Sequence, residues 1–110
     1  MTVRAAVAAP TVVRLDGQLD AASVSRVREL LAQVVATGRG DLFLDCSGVE
    51  WVDVTGLGLL TSTHRRLRDA DRRLVLVGCR PQLRRALVVT RLSRILLTQS
   101  LPVQAGPVES

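Results

Sequence analysis

The hydrophobic positions along the chain change period several times. Residues 11–15, TVVRL, are short and β-branched, which predicts a strand. DGQLD then turns the chain. Apolar residues return at helical spacing as Val24, Val27, Leu30, Leu31, Val34 and Val35, with Arg26, Arg28 and Gln33 mostly on the other side. Asp20 stands where it can cap this helix by accepting hydrogen bonds from the first free amides. TGRGD stops the helix, and Gly38 suits a left-handed C-terminal cap. Residues 42–46, LFLDC, are a continuous apolar run ended by an acid, the pattern of a strand covered on both faces.

A second helix is predicted from Thr55 to about Asp69. Leu57, Leu60, His64, Leu67 and Arg68 fall on related faces, and Arg65, Arg66 and Arg68 solvate the far end. RRLVLVGC is the next strand. Pro81 suits the first turn of a third helix over about 81–90, which turns Leu83, Leu87 and Val88 inward. SRILLTQS reads as a final strand, and PVQAGPVES as a loose tail. The opening MTVRAAVAAPTVV has some features of a short signal peptide. Arg4 and Pro10 interrupt its apolar run, however, so it is read as the first strand or strands of a cytoplasmic protein.

The order is therefore β-β-α-β-α-β-α-β: an α/β fold with a small mixed, mainly parallel sheet and right-handed crossovers. A chain this short has few helices, which are expected mostly on one face. The 110 residues allow one domain spanning 1–110, with a core over about 11–100 and a flexible tail at 101–110.

Composition narrows the function. No apolar run approaches the ~20 residues of a membrane span, so no membrane insertion is expected. All fifteen basic residues are arginine, which points to a coding bias such as that of a GC-rich bacterial genome. The net charge of +5 invites a nucleic-acid reading, but one Trp, one Phe and no Tyr leave almost nothing for base stacking. Solvated helix faces account for most of the arginines, and a basic face for an acidic protein partner is the second reading. Cys46 and Cys79 lie in apolar, strand-like runs without metal-ligand spacing and read as free thiols. No cofactor or metal is called for.

The candidate chemistry lies in LDCSGVEWVDVTGLGLL, residues 44–60, where Thr55 stands between Asp53 and Gly56 at the end of a buried strand and the start of a helix. Loops at strand carboxyl ends build sites in open α/β folds, and a helix start offers free amides and partial positive charge. Thr55 then has two readings: an N-cap, or a hydroxyl displayed where a phosphate is tolerated. Gly56 takes bulk out of the first turn, and Gly58 would let the helix approach another backbone. Catalysis by Thr55 has no support. The sole histidine, His64, is ~13 Å away by helical rise, and there is no lysine to act as base. The short GLG run is too poor in glycine for a dinucleotide loop.

At these residues the chain resembles the STAS domain, in particular bacterial anti-sigma factor antagonists. VVRLDGQLDAASVSRVRELL is similar to the family's opening strand, Gly-x-Leu-Asp turn and first helix. LFLDCSGVEWVDVTGLGLL is similar to its signature, and RRLVLVGCRPQLRRALVVTRLSRIL to its closing strand, helix and strand. The likeness covers about residues 11–100. It implies no enzymatic activity in this chain. It implies a partner anti-sigma factor with ATP-binding serine/threonine kinase activity, which phosphorylates the hydroxyl before the motif glycine, here Thr55. The bare form binds the anti-sigma factor and frees a sigma factor; the phosphorylated form lets go. Val54 stands where many relatives carry serine, and Thr55 replaces the commoner serine while keeping the acceptor oxygen. The implied binding face comprises Asp53, Thr55, Gly56, Leu57, Ser62 and Arg66.

Trp51 is either an interface anchor or a semi-buried core residue, the position where relatives often carry phenylalanine. Glu50 reads as a solvated turn residue. Asp20 matches the acid after Gly-x-Leu and reads as a cap. The family also implies an alternative: a non-switching STAS subunit of a transporter or of a lipid-transport ATPase complex.

Overall fold

The computed structural model describes residues 1–6 and 11–100; the tail expected at 101–110 and Pro10 lie outside them. The strands are β1 (Thr2–Ala6), β2 (Thr11–Leu19), β3 (Leu42–Val52), β4 (Leu74–Val77) and β5 (Leu97–Gln99). The helices are α1 (Val24–Thr37), α2 (Val54–Asp69) and α3 (Pro81–Val89). The strands form one sheet in the order β1-β2-β3-β4-β5. β1 runs antiparallel to β2, and the other pairs are parallel, with Thr11 opposite Leu42, Leu42 opposite Leu74, and Val75 opposite Leu97.

A right-handed crossover that moves one strand along the sheet leaves its helix on a fixed face. Three such steps in one direction stack three helices on the same side. The core agrees. Val27, Leu31 and Val34 of α1, Leu57, Leu60 and Leu67 of α2, and Leu83 and Leu87 of α3 join one cluster with Val13, Leu15, Leu42, Leu44, Leu74 and Leu76 from alternate strand positions. The opposite face carries a smaller apolar cluster of Phe43, Val75 and Val77. Beside it lies a polar network. Arg14 binds Asp16 at 2.9 Å and Asp45 at 3.4 Å, and Ser47 donates to Asp45 at 2.7 Å.

Several elements differ from the sequence expectation. β2 continues to Leu19 and β3 to Val52, because the polar stretches after residues 15 and 46 pair with each other across two register shifts. Gly38 is extended (φ −83°, ψ 173°), not left-handed; its backbone nitrogen still closes onto the Val34 carbonyl at 2.8 Å, and the left-handed glycine is Gly40 at φ 69°. A methyl at Gly38 would run into the Thr11 hydroxyl and the Val34 carbonyl, so close approach is what needs the glycine there. Val88 is 63% exposed; only Leu83 and Leu87 of α3 reach the core. The predicted 93–100 strand splits into a 3-10 turn, Leu92–Arg94, entered through Arg91 at φ 64°, and the three residues of β5. Leu96 between them is buried and anchors the segment.

The β3–α2 corner and its two grooves

Asp53 caps α2. One carboxylate oxygen accepts from the Gly56 amide at 3.0 Å and the other from the Ala21 amide at 3.2 Å, while the Asp53 amide donates to the Leu19 carbonyl at 3.2 Å. The helix start is thereby fastened to the turn that leads into α1. That turn is braced in its own right. Asp20 takes the Ala22 and Ser23 amides on one oxygen, and the Ser23 hydroxyl accepts from the Asp20 amide at 3.1 Å. Asp20 therefore serves amides just ahead of α1, and the residue in the N-cap position is Ser23.

With Asp53 as the cap, Thr55 is not one. It is the second residue of α2 and is exposed. Its hydroxyl makes no hydrogen bond to another described residue. The reason is positional. Thr61, Ser62 and Thr63 each donate back to a carbonyl three or four residues earlier, on Leu57 or Leu59. At the second position no helical carbonyl lies behind the side chain.

The six candidate contact residues separate into two groups. Thr55, Ser62 and Arg66 line one groove between α1 and α2, of about 460 Å³, together with Gly58 and with Arg28 from α1. Asp53 is half-buried at its head, its oxygens engaged as above. Gly56 and Leu57 lie inside. Leu57 packs in the core, and a methyl on Gly56 would overlap the Leu19 carbonyl and crowd the Leu19 and Val52 side chains. These two shape the corner and offer no outward side chain. Gly58 reverses its expectation: nothing lies within 4 Å of a methyl built there. Arg28 escaped the sequence reading, although its spacing of three, four and seven to Leu31, Ala32 and Val35 marks the stripe that borders the groove.

Trp51 is 58% exposed, which overturns the semi-buried reading. It lines a second groove of about 360 Å³ between the end of β3 and α3. Cys46 and Cys79 are free thiols in contact with each other. Hydrogen bonding to Cys79 and burial push Cys46 well up, while the bond to Cys46 and the charge of Arg84 bring Cys79 down against its burial. Among the described residues no cluster of three or more His, Cys, Asp or Glu side chains could hold a metal, and no helix is long and apolar enough to cross a membrane.

The family model described as STAS domain matches residues 2–105. The chain belongs to the STAS domain family. Its relatives include the anti-sigma-B factor antagonist of Staphylococcus aureus, 29% identical over 84 residues, 76% of this chain and 78% of that one. An anti-sigma-factor antagonist (STAS) domain protein from Planctomyces limnophilus shares the fold at TM-score 0.81 and 18% identity, covering 91% of each chain. The Bacillus cell fate determinant SpoIIAA, solved in its phosphorylated form, superposes at TM-score 0.70 with 18% identity and 92% of each chain covered. For this STAS chain the two structures speak to fold: a mainly parallel five-strand sheet with three helices.

Proposed function

We propose that this STAS protein is an anti-sigma factor antagonist of the cytoplasm. Its bare form binds an anti-sigma factor and frees a sigma factor, and phosphorylation of Thr55 by that anti-sigma factor, an ATP-dependent serine/threonine kinase, ends the binding. The observation that carries the proposal is the state of Thr55: exposed, at the second position of α2, its hydroxyl unengaged while the other α2 hydroxyls are tied to their own helix. The name of the Staphylococcus aureus relative supports the partner.

The electrostatics supply a mechanism. Arg28 and Arg66 border the groove that holds Thr55, so the bare surface is positive and suits an acidic partner face. A phosphate adds about −1.5 to −2 charges there and cancels those two cations. The domain tolerates it, because a helix start presents amides and a favourable dipole to an anion. The partner meets a surface stripped of its positive charge and with added bulk. A loss of ~3 kcal/mol weakens binding by a factor of about 150.

Calorimetric titration of the anti-sigma factor with Thr55→Ala and Thr55→Glu tests this, beside mass-spectrometric mapping after incubation with ATP. The alanine form is expected to bind and stay unlabelled, and the glutamate form to bind poorly. Equal affinity of the two, or a phosphate elsewhere, overturns the switch.

A further inference from the structure

β3 outruns its neighbour. β4 ends at Val77, opposite Asp45, so beyond that residue β3 pairs only with β2 among the described residues. Arg80, at the start of α3, ties the first of this bare edge by donating to the Ser47 carbonyl at 2.8 Å. Past Ser47 no strand follows on that side among the described residues. A parallel strand turns alternate peptide groups to each side, so this stretch offers donors and acceptors to an incoming chain.

Facing the edge across the 360 Å³ groove is α3. Val49 and Trp51 form the strand wall; Leu83, Ala86 and Val89 form the helix wall. Trp51 and Val89 are 58% and 74% exposed, so large apolar side chains stand at the mouth. Arg85 borders it as well. The segment 80–96 holds five arginines and no acid, and Glu50 is the one acid on the strand wall.

We propose that this groove takes an extended, acidic peptide segment of a partner protein, which pairs its main chain with the bare edge of β3. The edge calls for main-chain pairing, the mode in which backbone bonds give affinity and alternate side chains give selectivity. The apolar walls take the inward side chains, and Arg85 at the border selects acids among the outward ones. The surface is separate from the α1–α2 groove and does not rest on phosphorylation of Thr55.

Trp51 is the only tryptophan of the chain and there is no tyrosine, so intrinsic emission reports this groove alone. The test selects a display library of short, fully randomised peptides on the full chain, then titrates the enriched peptides while following Trp51 emission. Enriched sequences alternating apolar and acidic residues, with a saturable blue shift, are expected. Lysine in place of their acids should weaken binding about tenfold, proline at alternate positions should abolish it, and Val89→Asp, at an exposed site, should abolish it with the circular dichroism unchanged. No enrichment, enrichment of basic or unpatterned sequences, binding without a Trp51 shift, or full binding by the proline peptide overturns the proposal. A blue shift on concentrating the protein alone, with a dimer in sedimentation, overturns it too, since a second copy then fills the groove.

Discussion

Gly56 and Gly58 lie two residues apart in α2 and should respond oppositely to the same added methyl. At Gly58 the methyl meets nothing within 4 Å, so alanine brings only the backbone benefit of a helix interior, about 0.5–1 kcal/mol. At Gly56 it overlaps the Leu19 carbonyl oxygen and approaches Leu19 and Val52 carbon atoms at 2.9 Å. That oxygen accepts from the Asp53 amide, and Leu19 pairs with Val52 in the sheet, so it cannot retreat without opening the β2–β3 register. Overpacking of this kind costs about 1–3 kcal/mol. A domain of this size shifts in melting temperature by a few degrees per kcal/mol, which places Gly56→Ala and Gly58→Ala roughly 10 °C apart on either side of the parent. Thermal melts followed by far-ultraviolet circular dichroism, with urea midpoints at unchanged slope, measure it. A Gly56→Ala protein as stable as the parent, or two shifts of the same sign, would refute the close-approach argument.

Further predictions concern the groups around the corner. Asp53→Ala removes two acceptors for backbone amides and should cost about 1–2 kcal/mol in urea unfolding, part of it restored by Asp53→Asn. The Arg14 guanidinium, against some burial and with help from Arg4, holds Asp16 below its ordinary value of 3.8. Its stabilisation is therefore present above about 3.8 and lost as pH falls through the lower folded value. Asp16→Asn should accordingly unfold more readily near neutrality and match the parent in strong acid. Brief alkylation of the native protein should label Cys79 and spare Cys46, with a rate that rises at lower pH than for an ordinary thiol. Peptide mass mapping over a pH series decides this, and earlier labelling of Cys46 refutes it.

The helices were legible because apolar residues recur at helical spacing and Pro81 marks the opening of α3, and the order of elements followed from the alternation of periods. One-sided packing was expected from the small number of helices, and the strand order gives its physical reason: three crossovers of one hand stepping in one direction. The strand lengths were not legible. SGVEWV has no clean two-residue alternation, because its register against β2 slips twice and the side chains change face at each slip. Val88 misled for a related reason. A helix of nine residues buries a narrow stripe, and a third apolar position falls outside it. At the site, Thr55 was visible from its place between a strand and a glycine. Arg28 was hidden because it reaches the groove from another element, and Trp51 stands outside because β4 stops short, so that among the described residues no strand runs beside it on that side.

Chain order and spatial order coincide across the sheet. Each new strand is laid against the rim left by the one before, and none must be threaded between partners already joined. Growth can therefore proceed by accretion as the polypeptide emerges during synthesis, each helix closing over the pair just made. Loss runs the other way: peeling from the last strand strips the outermost layer first and leaves the long β2–β3 pairing, with Thr55 at its end, standing until late.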